Sequence, residues 1–117
     1  MVLIVEDNAL LAELVCDALA EHNLRGQVAR SAQGGLEVLE MYPDLRLALV
    51  DYRLTGGTDG LEFVRRARSL RPEVTYVLMT GTPQALIPGL PQGIELLPKP
   101  FALAKLIELV KRSTKEA

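Results

Sequence analysis

Three short stretches with almost no polar interruption, Val2 to Val5, Leu45 to Val50 and Val74 to Met79, constrain the fold of this chain more than any other feature. A strand with one wet face alternates apolar and polar residues, whereas a strand covered on both faces reads as a continuous apolar run. Such runs belong to parallel sheets lying between layers of helix. Two weaker runs, Gln27 to Ala29 and Ile94 to Leu97, predict two further strands. None approaches the roughly 20 apolar residues of a membrane span. The first run meets acid at Glu6 and is too short for a secretory signal.

Helical patterns fill the spaces between the runs. Ala9 to His22 carries Leu11, Leu14, Val15, Ala18 and Leu19 at helical spacing. Ser31 is placed to cap a helix running to Met41, with Pro43 just beyond it, and Asp59 to cap one from Gly60 to Leu70. Ala102 to Arg112 closes the series, with Leu103, Leu106, Ile107 and Val110 on one face. Strand and helix therefore alternate five times, which predicts an α/β, doubly wound fold of five parallel strands with right-handed crossovers and helices on both faces. The interval from Thr82 to Pro100 departs from this pattern. It holds five of the seven prolines, and Pro88, Gly89 and Pro91 oppose a regular fourth helix, at roughly 3 kcal/mol per interior proline. At most one turn near Pro83 to Leu86 is expected there, then irregular chain to Gly93.

With 117 residues, 49% of them apolar, the chain is read as one domain, 1–117, with a single core. A net charge of −2 gives no electrostatic reason to expect direct nucleic-acid binding, and the cluster Arg65, Arg66 and Arg68 reads as a solvated helix face. Cys16, the single cysteine, reads as a small core residue. With no membrane segment and no disulfide, the expected location is the cytoplasm.

In a doubly wound sheet, ligands bind beyond the carboxyl ends of the strands. Glu6 and Asp7 follow the first run, Asp51 the third, Thr80 the fourth and Lys99 the fifth. Taken singly, each has a local explanation as a helix cap, a turn residue, a backbone hydrogen-bonder or a solvated charge. Together they place three carboxylates, a hydroxyl and an ammonium at one end of the sheet. Three crowded carboxylates repel unless a cation lies among them, and a hard divalent ion, Mg²⁺ or Mn²⁺, resolves that repulsion with oxygen ligands. An Asp51 oxygen can then act as nucleophile toward phosphorus, with Lys99 and Thr80 meeting the phosphoryl oxygens.

The segments LIVEDN, LALVDYRL, VLMTG and LLPKPF, in this order across nearly the whole chain, resemble the signatures of the receiver domains of two-component signalling. The resemblance implies a flavodoxin-like sheet of order 2-1-3-4-5. It implies Asp51 as phosphoacceptor, and Glu6, Asp7, Asp51 and the backbone carbonyl of Arg53 as the metal set, with Asp7 touching the ion directly and Glu6 through water. Thr80 and Lys99 match the family's hydroxyl and lysine, and Lys99–Pro100 matches a peptide bond that is cis in the family. The implied partner is a histidine kinase or a histidine phosphotransfer protein. The implied activity is signalling, with catalysis limited to the domain's own phosphorylation and dephosphorylation.

Two departures bear on output. Leu96 stands where many receivers have a switch aromatic, and the loop Thr55 to Gly60 is one residue longer than usual, its glycine pair resembling receivers attached to hybrid histidine kinases. Dimerisation through the face of the fourth helix is accordingly expected to be weak. Three other readings compete. A haloacid-dehalogenase-like phosphotransferase needs a second acid two positions after the nucleophile, where this chain has Arg53. A flavodoxin-like cofactor binder needs a phosphate loop where Glu6 and Asp7 would repel phosphate. A degenerate receiver serving only as an interaction module is opposed by the complete set of site residues.

Overall fold

A computed structural model describes residues 1–54 and 59–114. The elements are β1 (Val2–Val5), α1 (Ala9–Ala20), β2 (Gly26–Ala29), α2 (Ala32–Met41), β3 (Leu47–Asp51), α3 (Gly60–Leu70), β4 (Thr75–Thr80), β5 (Glu95–Pro98) and α4 (Leu103–Thr114), with one 3₁₀ turn at Gln84–Leu86. The five strands form one sheet in the order β2-β1-β3-β4-β5, all neighbours parallel, as expected.

The period-2 rule sorts each strand's side chains onto two faces. Leu3, Val5, Ala48, Val50 and Leu78 join one apolar cluster with residues of α2 and α3. Their neighbours Val2, Ile4, Leu47, Leu49 and Met79 join a second cluster with α1 and α4. Both faces are thus covered, which is why the runs lack polar alternation. The caps are local: the side chains of Asn8, Ser31 and Asp59 accept hydrogen bonds from the amides of Leu11, Gly34 and Glu62 at 3.1, 3.1 and 2.8 Å.

Several expectations shift. Asp51 and Thr80 are the last residues of β3 and β4, pairing with Met79 and Pro98, so both are held by the ladder itself. The helix α1 stops at Ala20, and Asn23 turns the chain with φ 61°. Leu14 and Leu103, which share a helical face with buried residues of α1 and α4, are 45% and 38% exposed. Cys16 is only half-buried, and that burial raises its thiol pKa.

The fourth crossover carries no α-helix, only the 3₁₀ turn. Ile87 anchors it in the α2–α3 cluster. Gly89 and Gly93 take φ +70° and +85°, conformations that side chains on Cα disfavour. The guanidinium groups of Arg65 and Arg68 donate to the carbonyls of Gly89 and Gln92, both at 2.9 Å. Arg66 faces Glu62 along the helix at 3.8 Å. The arginine cluster is therefore more than a solvated face, because two of its members fasten the crossover to α3. Residues 55–58, where the lengthened glycine loop falls, lie outside the described residues. Among the described residues no helix is long and apolar enough to cross a membrane.

Candidate functional site

Parallel strands all point their carboxyl ends to one edge, so that edge gathers residues far apart in sequence. The amide of Glu6 still donates to Ala29 O at 3.0 Å, carrying the β1–β2 ladder one residue past the strand. That step fixes Glu6 at the sheet's mouth while leaving it 1% exposed. Its Oε2 accepts from the amide of Asn8 at 3.1 Å, while Oε1 is buried with no hydrogen-bond partner among the described residues. Asn8, two residues past Glu6, caps α1.

Asp51 is 7% exposed. Its Oδ1 accepts from Lys99 Nζ at 3.0 Å and, more weakly, from the amide of Arg53 at 3.4 Å. Close behind it, α3 begins at Gly60, whose amide donates to Tyr52 O at 2.8 Å. A Cβ at residue 60 would lie 2.1 Å from the carbonyl oxygen of Asp51, so only glycine lets the helix start this near the strand end. Lys99 is tied to β4 by its amide, which donates to Thr80 O at 2.8 Å. From there its ammonium reaches both Asp51 and Glu6 Oε1, the latter at 3.7 Å. The Lys99–Pro100 bond is cis.

Glu6, Asp7 and Asp51 each present a carboxylate oxygen, all within 4.8 Å of one another. Lys99 pairs with two of these carboxylates, Asp51 and Glu6. Burial pushes the Glu6 pKa up to about 7; the Asn8 amide pulls it down, the Asp51 carboxylate adds to the rise, and Lys99 offsets part of it. A buried carboxylate oxygen that accepts no hydrogen bond among the described residues, in an oxygen-only donor set, fits a hard divalent cation.

Thr80 is buried at the end of β4, and its Oγ1 accepts from the amide of Thr82 at 2.9 Å. The local reading of this hydroxyl is thus realised, and its own O–H proton is left to donate elsewhere. The Arg53 side chain is exposed, its guanidinium carbon 6.0 Å from the centre of the Tyr52 ring. The sequence pattern leaves Arg30 without an assigned role. Its guanidinium donates to the backbone carbonyl of Asp7 at 3.2 Å, joining the end of β2 to the acidic pair. The strand-end rule applied to the second apolar run would have found it, since Arg30 follows Ala29 directly.

Comparisons with known proteins agree with this fold. The phosphate regulon transcriptional regulatory protein PhoB of Escherichia coli (strain K12) is 29% identical over 116 residues, covering 94% of this chain and 49% of PhoB. The chain thus spans about half the length of the curated relatives it matches. In fold it resembles the receiver domain of NtrX from Brucella abortus, with TM-score 0.88 at 23% identity over 100% of both chains. It also resembles a CheY-like receiver domain protein from Methanospirillum hungatei JF-1, with TM-score 0.83 at 24% identity over 98% of this chain and 93% of that one. The sequence model of the response regulator receiver domain matches residues 2–111, and on that match the chain belongs to the receiver domain family of two-component response regulators.

Proposed function

We propose that this receiver domain accepts a phosphoryl group on Asp51 from a histidine kinase or a histidine phosphotransfer protein, and that phosphorylation changes which partners it binds. A carboxylate oxygen of Asp51 attacks the phosphorus of a phosphohistidine. The P–N bond breaks, the imidazole leaves, and an acyl phosphate remains on Asp51. The contact of Lys99 Nζ with Asp51 Oδ1 at 3.0 Å carries this reading, because it sets a mobile cation beside the nucleophile in a buried mouth. As the acyl phosphate forms, Lys99 transfers its hydrogen bond to a phosphoryl oxygen, and the Thr80 hydroxyl donates to another.

Glu6, Asp7, Asp51 and the backbone carbonyl of Arg53 would hold Mg²⁺ or Mn²⁺, which when bound offsets the charge of the carboxylates and of the arriving phosphoryl oxygens. Hydrolysis of the acyl phosphate restores the carboxylate, so the chain's chemistry is confined to its own modification. Direct nucleic-acid contact is not part of this role, in keeping with a net charge of −2. The reading places the domain in the cytoplasm, where such kinases present their phosphohistidine.

Incubation with acetyl phosphate and Mg²⁺, followed by intact-mass measurement, tests the proposal. The parent chain should gain one phosphoryl group that hydroxylamine removes, and Asp51→Asn should gain none. Equal labelling of Asp51→Asn would overturn the assignment.

A further inference from the structure

α2 and the C-terminal end of α3 flank a groove of about 530 Å³ that reaches the sheet edge opposite Asp51. Leu36, Leu39, Pro43 and Leu70 form its apolar walls, and Leu70 is 65% exposed. Its charged lining consists of Glu37, Glu40, Glu73 and a single cation, Arg71. That cation is already committed. Its guanidinium donates to the carbonyls of Leu39, Tyr42, Pro43 and Leu45 at 2.6, 3.3, 3.0 and 2.9 Å and pairs with Glu73. Arg71 is therefore spent on the floor, and among the described residues Glu37 and Glu40 form no ion pair, Glu37 accepting a 3.4 Å hydrogen bond from Gln33.

The position of these two carboxylates is unfavourable for α2 itself. The C-terminal end of a helix carries partial negative charge and favours lysine or arginine. The last turn of α2 has no basic residue, yet Glu40 lies in it and Glu37 one turn earlier. Local rules of this kind are broken where a surface serves a partner. A cation laid on the groove would relieve both carboxylates and the helix end together, and the apolar walls call for an aliphatic group beside that cation.

We propose that this groove docks a basic amphipathic segment of a partner protein, which inserts an aliphatic side chain between Leu36 and Leu70 and sets lysine or arginine side chains on Glu37 and Glu40. The site is independent of the Asp51 chemistry and lies at the far end of the sheet from it.

The probe is a labelled synthetic helical peptide of leucine and lysine, with a leucine–glutamate peptide of the same length as control, both titrated into the whole chain with Mg²⁺ present. The lysine peptide should bind in a salt-sensitive way and shift backbone amide resonances at the ends of α2 and α3, while the glutamate peptide should not bind. The pair Glu37→Lys with Glu40→Lys should weaken binding about tenfold or more, two contacts changing from attraction to repulsion. Leu70→Ser should weaken it severalfold. The pair Glu37→Gln with Glu40→Gln should raise the melting temperature of the free chain while weakening the peptide, and should leave acetyl phosphate labelling of Asp51 unchanged. Equal binding of both peptides, resonance shifts confined to Glu6, Asp7 and Asp51, or occupancy of the groove by a second copy of the chain in sedimentation would each overturn the proposal.

Discussion

Glu6 shows how one residue can be costly to the fold and useful to the site. Its carboxylate is 1% exposed, with one oxygen lacking a hydrogen-bond partner among the described residues. A buried charge without full pairing destabilises, whereas the amide of similar shape does not carry that penalty. Glu6→Gln is therefore expected to stabilise the metal-free chain, by on the order of 1–3 kcal/mol in denaturant melts. The same variant should lose much of the extra stability that excess Mg²⁺ gives the parent, since ligand-linked stabilisation follows affinity. A variant less stable than its parent without metal would show that Glu6 is satisfied in a way its burial does not reveal. Lys99, by contrast, is partly open to solvent and owes its position to β4, so its ammonium can exchange partners without disturbing the core.

At the scale of elements, the fourth crossover is the chain's own solution to a local conflict. Pro88 and Pro91 forbid a continuous helix, and the backbone groups that a helix would satisfy must find other partners. Arg65 and Arg68 supply two of them from α3, at Gly89 and Gln92. Replacing both arginines with alanine should loosen this segment without unfolding the sheet. The expected loss is about 1 kcal/mol per hydrogen bond. Hydrogen exchange should quicken between residues 84 and 93 and remain slow in β4. Unchanged exchange in the crossover would mean that Ile87 alone holds it.

For the whole molecule, Tyr76 joins the sheet to the end of α3. Its single hydroxyl proton is shared between Ala67 O at 3.1 Å and Arg71 O at 3.0 Å. Burial lifts its pKa to about 12 from an ordinary value of 10, with Arg71 opposing that rise and Glu73 adding to it. The native state thus holds this proton more tightly than the unfolded chain does. The stabilisation is fully present below pH 10 and is lost as pH rises through about 12. It amounts to about 2–3 kcal/mol. Tyr76→Phe should be less stable at neutral pH, and its stability should fall less than the parent's in alkaline melts from pH 9 to 12. Parallel curves for the two proteins would remove the linkage.

The apolar runs by themselves determined the strands and their burial on two faces, because period-2 geometry leaves an uninterrupted run no other home in a small chain. The ends of those runs also put Glu6, Asp7, Asp51, Thr80 and Lys99 at one edge, because parallel strands bring all their carboxyl ends together. Prolines likewise made the irregular crossover legible. Hidden from the sequence were the partners that depend on distance through space. Arg30 at the carbonyl of Asp7 and Arg71 beneath the end of α2 act across sequence separations of 23 and up to 32 residues, which no local pattern records. The burial of Glu6 Oε1 without a hydrogen bond among the described residues is also a tertiary fact, since burial and pairing exist only after the helices have closed over the sheet.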